Sequence, residues 1–228
     1  MEKEIVDLLL KTPLFSGASR ELLQLRLSKK AKIKHYLSEE TVSPSENGEK
    51  HLVIIIKGCA KVMSLDVERR VLLRTLSVGD AFGVAELFGE SQIISRVEAK
   101  GKCSALFIPE SEMRVLLEKD KQIMYNYLSF LCCRIRFLNK RIACFTAGSA
   151  ERRLAFYLDS LAEEHGIAEN TIKVESETSM GSLALMLDIG RASLYRAIDT
   201  LTADGFIEKD CKGFLLKDRD KMIKNYSK

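Results

Sequence analysis

The sequence predicts an α+β protein in three parts: a β-sandwich or roll, one long helix, and a winged helix-turn-helix. Three observations predict it. Short apolar runs recur between turn residues from Lys32 to about Pro109, helical periodicity runs without turn signals from Ser111 to Phe145, and two short helices followed by a hairpin pattern close the chain.

In the first part the strand-like runs are Leu52 to Lys57, Ala60 to Leu65, Val71 to Leu76, Arg96 to Ala99 and Cys103 to Ile108. Ser43-Pro44-Ser45-Glu46-Asn47-Gly48, Asp66, Gly79-Asp80 and Gly101-Lys102 separate them as turns. Short strands at this spacing suit a sandwich or roll. In the second part Ile123, Tyr127, Phe130, Leu131, Phe137, Leu138, Ile142 and Phe145 follow helical spacing. A helix so long and so apolar on one side needs a partner. Its seam either covers the β-roll or, as its length favours, forms a parallel coiled-coil dimer running from Ile123 to Phe145, with Arg134, Arg136, Lys140 and Arg141 off or beside it.

The third part is the most specific. Leu183, Leu185, Met186 and Leu187 make an apolar first helix, and Leu194, Ile198 and Leu201 recur at i, i+4 and i+7 on a second. Asp188 stands in the turn, where positive φ is needed, and Gly190 relaxes the start of the second helix. With the apolar stripe inward, Ala192, Arg196 and Asp199 face away, Ser193 and Tyr195 flank them, and Arg191 occupies the first turn, where a recognition helix meets base edges. Taken alone, this pattern also suits an ordinary αα-hairpin. Ala203-Asp204-Gly205 then ends the helix, Phe206-Ile207-Glu208 and Phe214-Leu215-Leu216 read as strands, and Asp210-Cys211-Lys212-Gly213 as their turn. Those features make it a winged helix.

Composition is compatible with this architecture and excludes several function classes. The chain has 228 residues, 46% of them apolar and 30% charged, as globular proteins do. No apolar run approaches membrane-spanning length, and Met1-Glu2-Lys3-Glu4 lacks a signal peptide's apolar core, so a cytoplasmic protein with no membrane partner is expected. Cys59, Cys103, Cys132, Cys133, Cys144 and Cys211 are scattered without C-x-x-C spacing, and His35, His51 and His165 are isolated, so neither a metal site nor a disulfide framework is expected. No phosphate-cradling loop, paired-histidine motif or nucleophile spacing recommends an enzyme. Charge is uneven. Residues 1–146 carry 24 basic against 18 acidic residues, whereas residues 147–228 carry 12 against 14. Binding of nucleic acid by the third part therefore has to rest on local basic spots, Arg191, Arg196, Lys209 and Lys212, and its acidic balance leaves open a winged helix that docks a protein.

In this order the parts resemble the catabolite activator and fumarate-nitrate regulator (CRP/FNR) family of bacterial transcription factors. The resemblance covers nearly the whole chain and rests on Gly79-Asp80-Ala81-Phe82-Gly83, on the hinge-like Thr146-Ala147-Gly148-Ser149-Ala150-Glu151-Arg152-Arg153-Leu154-Ala155, and on Gly190-Arg191-Ala192-Ser193-Leu194-Tyr195-Arg196. It implies a cyclic-nucleotide-binding-like β-roll (jelly roll) sensor at 1–120, a dimerisation helix at 121–146 and a DNA-binding winged helix-turn-helix at 147–228. It also implies a homodimer on a near-palindromic operator, RNA polymerase as a partner, and base readout by Arg191, Ala192, Ser193, Tyr195 and Arg196 with Lys212 in the wing.

Effector chemistry departs from the family's cyclic AMP pattern, which is a Gly-Glu pair for the ribose and an Arg-Ser pair eleven residues after the Gly. Here Val84 and Ile94-Ser95 stand at those positions, and a one-residue shift only substitutes Ile93. A buried phosphate against isoleucine would be left unpaired, at about several kcal/mol. A cyclic-AMP-independent member is expected, with Phe82, Gly83, Val84, Ile93, Ile94 and Ser95 lining a pocket for an unknown neutral or aromatic small molecule, or for none. On the long helix Leu138 and Asn139 come nearest, Asn139 being either a polar contact or a solvated residue. No cysteine precedes Cys59, so the family's N-terminal iron-sulfur cluster is absent, haem ligation is not indicated, and no cofactor is expected. Cys132 and Cys133, about 100° apart on the helix, offer an alternative redox-sensing role or simple apolar packing.

Overall fold

The computed structural model describes residues 3–65, 72–89, 95–146, 148–164, 172–175, 179–210 and 213–226. Its contacts divide the chain into two compact units, Met1–Cys132 and Cys133–Lys228.

In the first unit, α1 (Lys3–Leu9) and α2 (Arg20–Lys30) precede β1 (Lys32–Tyr36), β2 (Ser45–Glu46), β3 (Glu49–Ser64), β4 (Leu72–Leu76) and β5 (Ala81–Phe82). The short α3 (Val84–Leu87), β6 (Ser95–Pro109), α4 (Glu110–Lys119) and the start of α5 (Lys121–Thr146) follow. The order β1, β6, β3, β2 is antiparallel throughout, β4 and β5 also pair with β3, and the described strands do not close into a barrel. Both faces of β3 and β6 are covered, which is why Leu52-Val53-Ile54-Ile55 and Ala105-Leu106-Phe107-Ile108 are apolar without alternation. Leu52, Ile54, Leu106 and Ile108 pack beneath the helices with Leu9, Leu23, Leu27, Met113 and Ile123. Val53, Ile55, Ala105 and Phe107 face the opposite way, into the roll, with Val42, Leu76 and Val97.

Two strand boundaries expected from the sequence do not exist. Leu52–Lys57 and Ala60–Leu65 are parts of one strand, β3, and Arg96–Ala99 and Cys103–Ile108 are parts of β6. The glycines between them bend the strands without ending the ladder. Gly58 (φ 74°) and Gly101 (φ 76°) adopt the left-handed region within irregularities of the β3–β6 register, where β3 carries an extra residue between Ile55 and Lys57 and β6 carries extra residues between Lys100 and Ser104.

The helical stretch expected from Ser111 to Phe145 is likewise two helices, broken at Asp120. That residue is extended (φ −125°, ψ 106°), and its carboxylate accepts hydrogen bonds from the amides of Gln122 (2.9 Å), Ile123 (3.3 Å) and, across the unit, Ser19 (2.9 Å). An N-cap of this kind starts α5. The seam expected from Ile123 is also corrected at its beginning. Ile123 and Tyr127 are 1% and 5% exposed within the roll's own core, and Phe130 and Leu131 pack against it, so these positions serve the roll. Among the described residues the exposed large apolar side chains of α5 are Met124, Tyr125, Leu128, Ile135, Leu138 and Ile142.

The second unit contains the rest of α5, then α6 (Ala150–Glu164), β7 (Ile172–Glu175), α7 (Met180–Met186), α8 (Arg191–Ala203), β8 (Ile207–Asp210), β9 (Gly213–Leu216) and α9 (Arg219–Tyr226). Leu154, Leu158, Leu183, Leu194, Ile198, Leu201 and Phe214 form its core. The hairpin is present, β8 pairing antiparallel with β9, and the expected turn residues Cys211 and Lys212 lie outside the described residues. A third strand, β7, joins β9 on its other side, with Ile172 and Ile207 both registered on Leu216. A buried ion pair ties α9 to α6: Arg219 Nε donates to Asp159 Oδ1 at 2.6 Å.

Candidate functional site

The helix-turn-helix is built outward from its buried side. Ser179 caps α7, its Oγ accepting from the Ser182 amide at 3.1 Å. Asp188, at φ 52°, turns the chain after α7 as the sequence predicts, and Gly190 (φ −66°, ψ 148°) is the extended N-cap of α8. What holds the turn was not legible in the motif. Arg153, on α6, sends Nη1 to the carbonyls of Leu187 (3.0 Å) and Asp188 (2.9 Å), with the Asp188 carboxylate at 3.8 Å. One guanidinium thus satisfies two carbonyl groups at the end of α7 that the helix itself leaves open.

Packing of Leu194, Ala197, Ile198 and Leu201 against the core fixes the roll angle of α8, so Arg191, Ala192, Tyr195, Arg196 and Asp199 are exposed together. Ser193, half-buried, accepts from Arg196 Nη2 at 3.2 Å and so restrains that guanidinium along the helix. The ammonium of Lys209, on β8, lies 5.4 Å from the Tyr195 ring centroid, bringing a wing cation to the same face. Arg191 folds back over the start of α7, where a Cβ built on Gly181 would stand 2.8 Å from its Nη2. At the far end of α8, Tyr226 donates its hydroxyl to Asp204 Oδ2 at 2.7 Å, and burial together with that carboxylate pushes the phenol well above its usual range. The acidic balance of this part of the sequence therefore coexists with a face carrying Arg191, Arg196 and Lys209 around Tyr195.

In the first unit Phe82 and Val84, both expected to line an effector pocket, pack into different clusters. Gly83 (φ 79°) precedes α3, and a Cβ there would lie 2.6 Å from the His51 carbonyl oxygen and 2.8 Å from Pro44 Cβ, so only glycine fits. Phe82 packs into the roll interior with Val53 and Phe107, whereas Val84, 8% exposed, lies in the other cluster with Leu52 and Ile123. The two side chains are thus on opposite sides of the sheet. Tyr127 donates its hydroxyl to the Val84 carbonyl at 3.0 Å, fastening α3 to α5, and burial pushes that phenol up to about 12. Ser95 begins β6, half-buried, opposite Ser64. Ile93 and Ile94 lie outside the described residues, and Leu138 and Asn139 are exposed on α5 in the second unit. Unforeseen was Arg74, 3.2 Å from Asp80 and nearly buried, on the strand position opposite Val62. Among the described residues no group of histidine, cysteine and carboxylate side chains could hold a metal ion, and no helix is long and apolar enough to cross a membrane.

Residues 33–120 match the cyclic nucleotide-binding domain family. The cAMP-activated global transcriptional regulator CRP of Pasteurella multocida is 28% identical over 133 residues, 58% of this chain and 64% of that protein, so the match spans less than two thirds of that relative's length. The cAMP-activated global transcriptional regulator Vfr of Pseudomonas aeruginosa is 21% identical over 179 residues, 76% of this chain and 84% of its own. A CooA mutant from Carboxydothermus hydrogenoformans superposes with a TM-score of 0.66 at 17% identity over 92% of each chain, which shows a common fold. The fold and the site define a cyclic-nucleotide-binding-type roll joined to a winged helix-turn-helix. The chain carries a cyclic nucleotide-binding domain and is homologous to the regulators CRP and Vfr.

Removing the guanidinium that holds the turn should loosen the site before it loosens anything else. Arg153→Met is expected to lower the opening free energy of the second unit by about 1.5–3 kcal/mol, the worth of hydrogen bonds to a charged group. Hydrogen exchange at the amides of Leu187 and Ile189 measures it, and unchanged protection there would show that the turn stands without Arg153.

Proposed function

We propose that this chain is a homodimeric, sequence-specific DNA-binding regulator of transcription that acts in the cytoplasm with RNA polymerase as its partner. The observation that carries the reading is the outer face of α8, on which Arg191, Ala192, Tyr195 and Arg196 are exposed by the packing of Leu194, Ile198 and Leu201. A helix presented this way can enter a major groove with its first turns against base edges. Residues 1–120 are its sensor, 121–146 its dimerisation helix and 147–228 its DNA-binding part. Dimerisation uses α5. Met124, Leu128, Ile135, Leu138 and Ile142, all more than two-fifths exposed, follow one another at spacings of 4, 7, 3 and 4, the position within the seven-residue interval being Leu131, which packs against the roll. That is the stripe of a parallel two-helix seam. Two-fold symmetry then calls for a near-palindromic operator with half-sites about one helical turn apart.

Base readout follows from side-chain chemistry. Arg191 and Arg196 can each bond guanine O6 and N7, Ala192 offers only a methyl for a thymine C5-methyl, and Tyr195 with Lys209 suits the adjoining backbone. Lys212, in the wing, contributes a phosphate contact without sequence preference. Arg196→Ala should weaken operator binding by about 1–3 kcal/mol and relax preference at one base pair. Selection from random duplex DNA checks this, an unchanged preference being the result that refutes it.

The effector in this reading is not cyclic AMP. Val84 stands where the family's nucleotide binders carry a glutamate, and its side chain is buried in the core of the roll. A neutral or aromatic small molecule, or none, fits better, with Phe82 and Ser95 of the first unit as its neighbours. Calorimetric titration with cyclic AMP should give no detectable heat. Micromolar affinity would contradict the assignment.

A further inference from the structure

We propose that the mouth between the end of β1 and the β3–β6 bulge is a binding site for a small organic anion, held by Lys57 and Lys102 and oriented by the His35–Ser104 pair. The site is independent of the regulatory reading above.

The opening is a consequence of two glycines. At Gly58 the bulged strand β3 runs so close to β6 that a Cβ would lie 2.3 Å from the Lys102 carbonyl oxygen, so only glycine allows the approach. Next to it the ladder steps from Lys57 opposite Ser104 to Cys59 opposite Lys100, which leaves residues 101–103 without partners on β3, Gly101 among them at φ 76°. Lys57 and Lys102 are thereby placed on the two sides of one cavity of about 330 Å³.

Its chemistry is one-sided. The lining contains Lys57, Lys102 and His35 and no carboxylate. Some cations of this unit are held by carboxylates: Lys34 bonds Glu46, Arg74 lies beside Asp80, and Arg114 binds Glu110. Among the described residues neither Lys57 nor Lys102 has an ion-pair partner. Glu40 keeps its charge, but its Oε2 accepts from the Leu37 amide at 2.8 Å and it forms no ion pair with either lysine. Two unmatched ammonium groups at one mouth attract an anion and lose their mutual repulsion when it binds. Ser104 is 9% exposed, and its hydroxyl is 2.9 Å from Nδ1 of the exposed His35, a contact that restrains the imidazole and leaves Nε2 as its remaining polar atom. Tyr36 and Leu37 add apolar wall. The volume lies near the lower end of ligand pockets, about 300–1,000 Å³, which favours a carboxylate or phosphate on a single ring or short chain over a nucleotide.

The test titrates the full chain with phenyl phosphate and with benzoate, followed by calorimetry and by amide chemical shifts. At least one probe is expected to bind, shifting the amides of Lys57 and Ser104. The Lys57→Gln/Lys102→Gln double variant should bind it about tenfold or more weakly, as the loss of charge-assisted contacts implies, while Lys29→Gln on α2 binds it as the parent does. The proposal is overturned by failure of both probes to bind at millimolar concentration, by equal affinity in the double variant, or by an equal loss in Lys29→Gln, which would indicate bulk charge. It is equally overturned if the double variant loses affinity for duplex DNA while neither probe binds the parent, since the lysines would then belong to a nucleic acid surface.

Discussion

A helix has a single circumference, and α5 has to divide its own between two apolar demands. Ile123 and Tyr127 point into the roll and complete a core that already contains Leu52, Ile54 and Leu106. Met124, Leu128, Ile135, Leu138 and Ile142 lie on another side and stay exposed. Exposed apolar side chains recurring at spacings of three, four and seven residues over five turns are costly in water, by about 25 cal/mol for each Å² left uncovered. Within one chain no described element covers the stripe in either unit. In the homodimer proposed above, a second copy aligned in parallel would cover it with the same residues. The hydroxyl of Tyr127 adds a coupling, because it binds the Val84 carbonyl and so ties α3, beside the expected effector position, to the helix that carries the stripe.

The second unit applies the same economy of faces. Leu194, Ile198 and Leu201 give α8 one buried stripe, and that burial is what exposes Arg191, Tyr195 and Arg196. Charge plays a local part. Ser193 restrains Arg196 and Tyr195 attracts Lys209, so a part of the chain with more acidic than basic residues still presents cations on one face. Arg153 at the turn and Arg219 against Asp159 are internal: their guanidinium groups serve carbonyl and carboxylate oxygens of the fold and add nothing to the outer face.

The parts of this architecture that obey a period were legible in the sequence. The 3.6-residue stripe of α8, the positive φ of Asp188, and the β8–β9 hairpin are local consequences of residue type and spacing. Features set by distant contacts were not. The helix break at Asp120 depends on a carboxylate that also binds the Ser19 amide, 101 residues away in sequence. The union of two expected strands into β3 depends on how closely Gly58 approaches β6. Apolar periodicity marked Ile123 and Leu138 alike, and only the packing of the roll separates them into core and surface. The placement of Phe82 and Val84 on opposite sides of the sheet belongs to the same class, since adjacency around a tight glycine hides the face each side chain takes. Strand β7, four residues alternating as Ile172-Lys173-Val174-Glu175, is too short for its period to mark it in the sequence.

Sedimentation equilibrium of the full chain and of Ile135→Asp, at micromolar concentration, tests the account most directly. The exposed position of Ile135 predicts that the variant keeps its folded units while the parent's dimer dissociates, and that operator binding is lost together with the dimer. A parent that sediments as a monomer, or a variant that remains dimeric with unchanged DNA affinity, would contradict the division of α5 on which the reading depends.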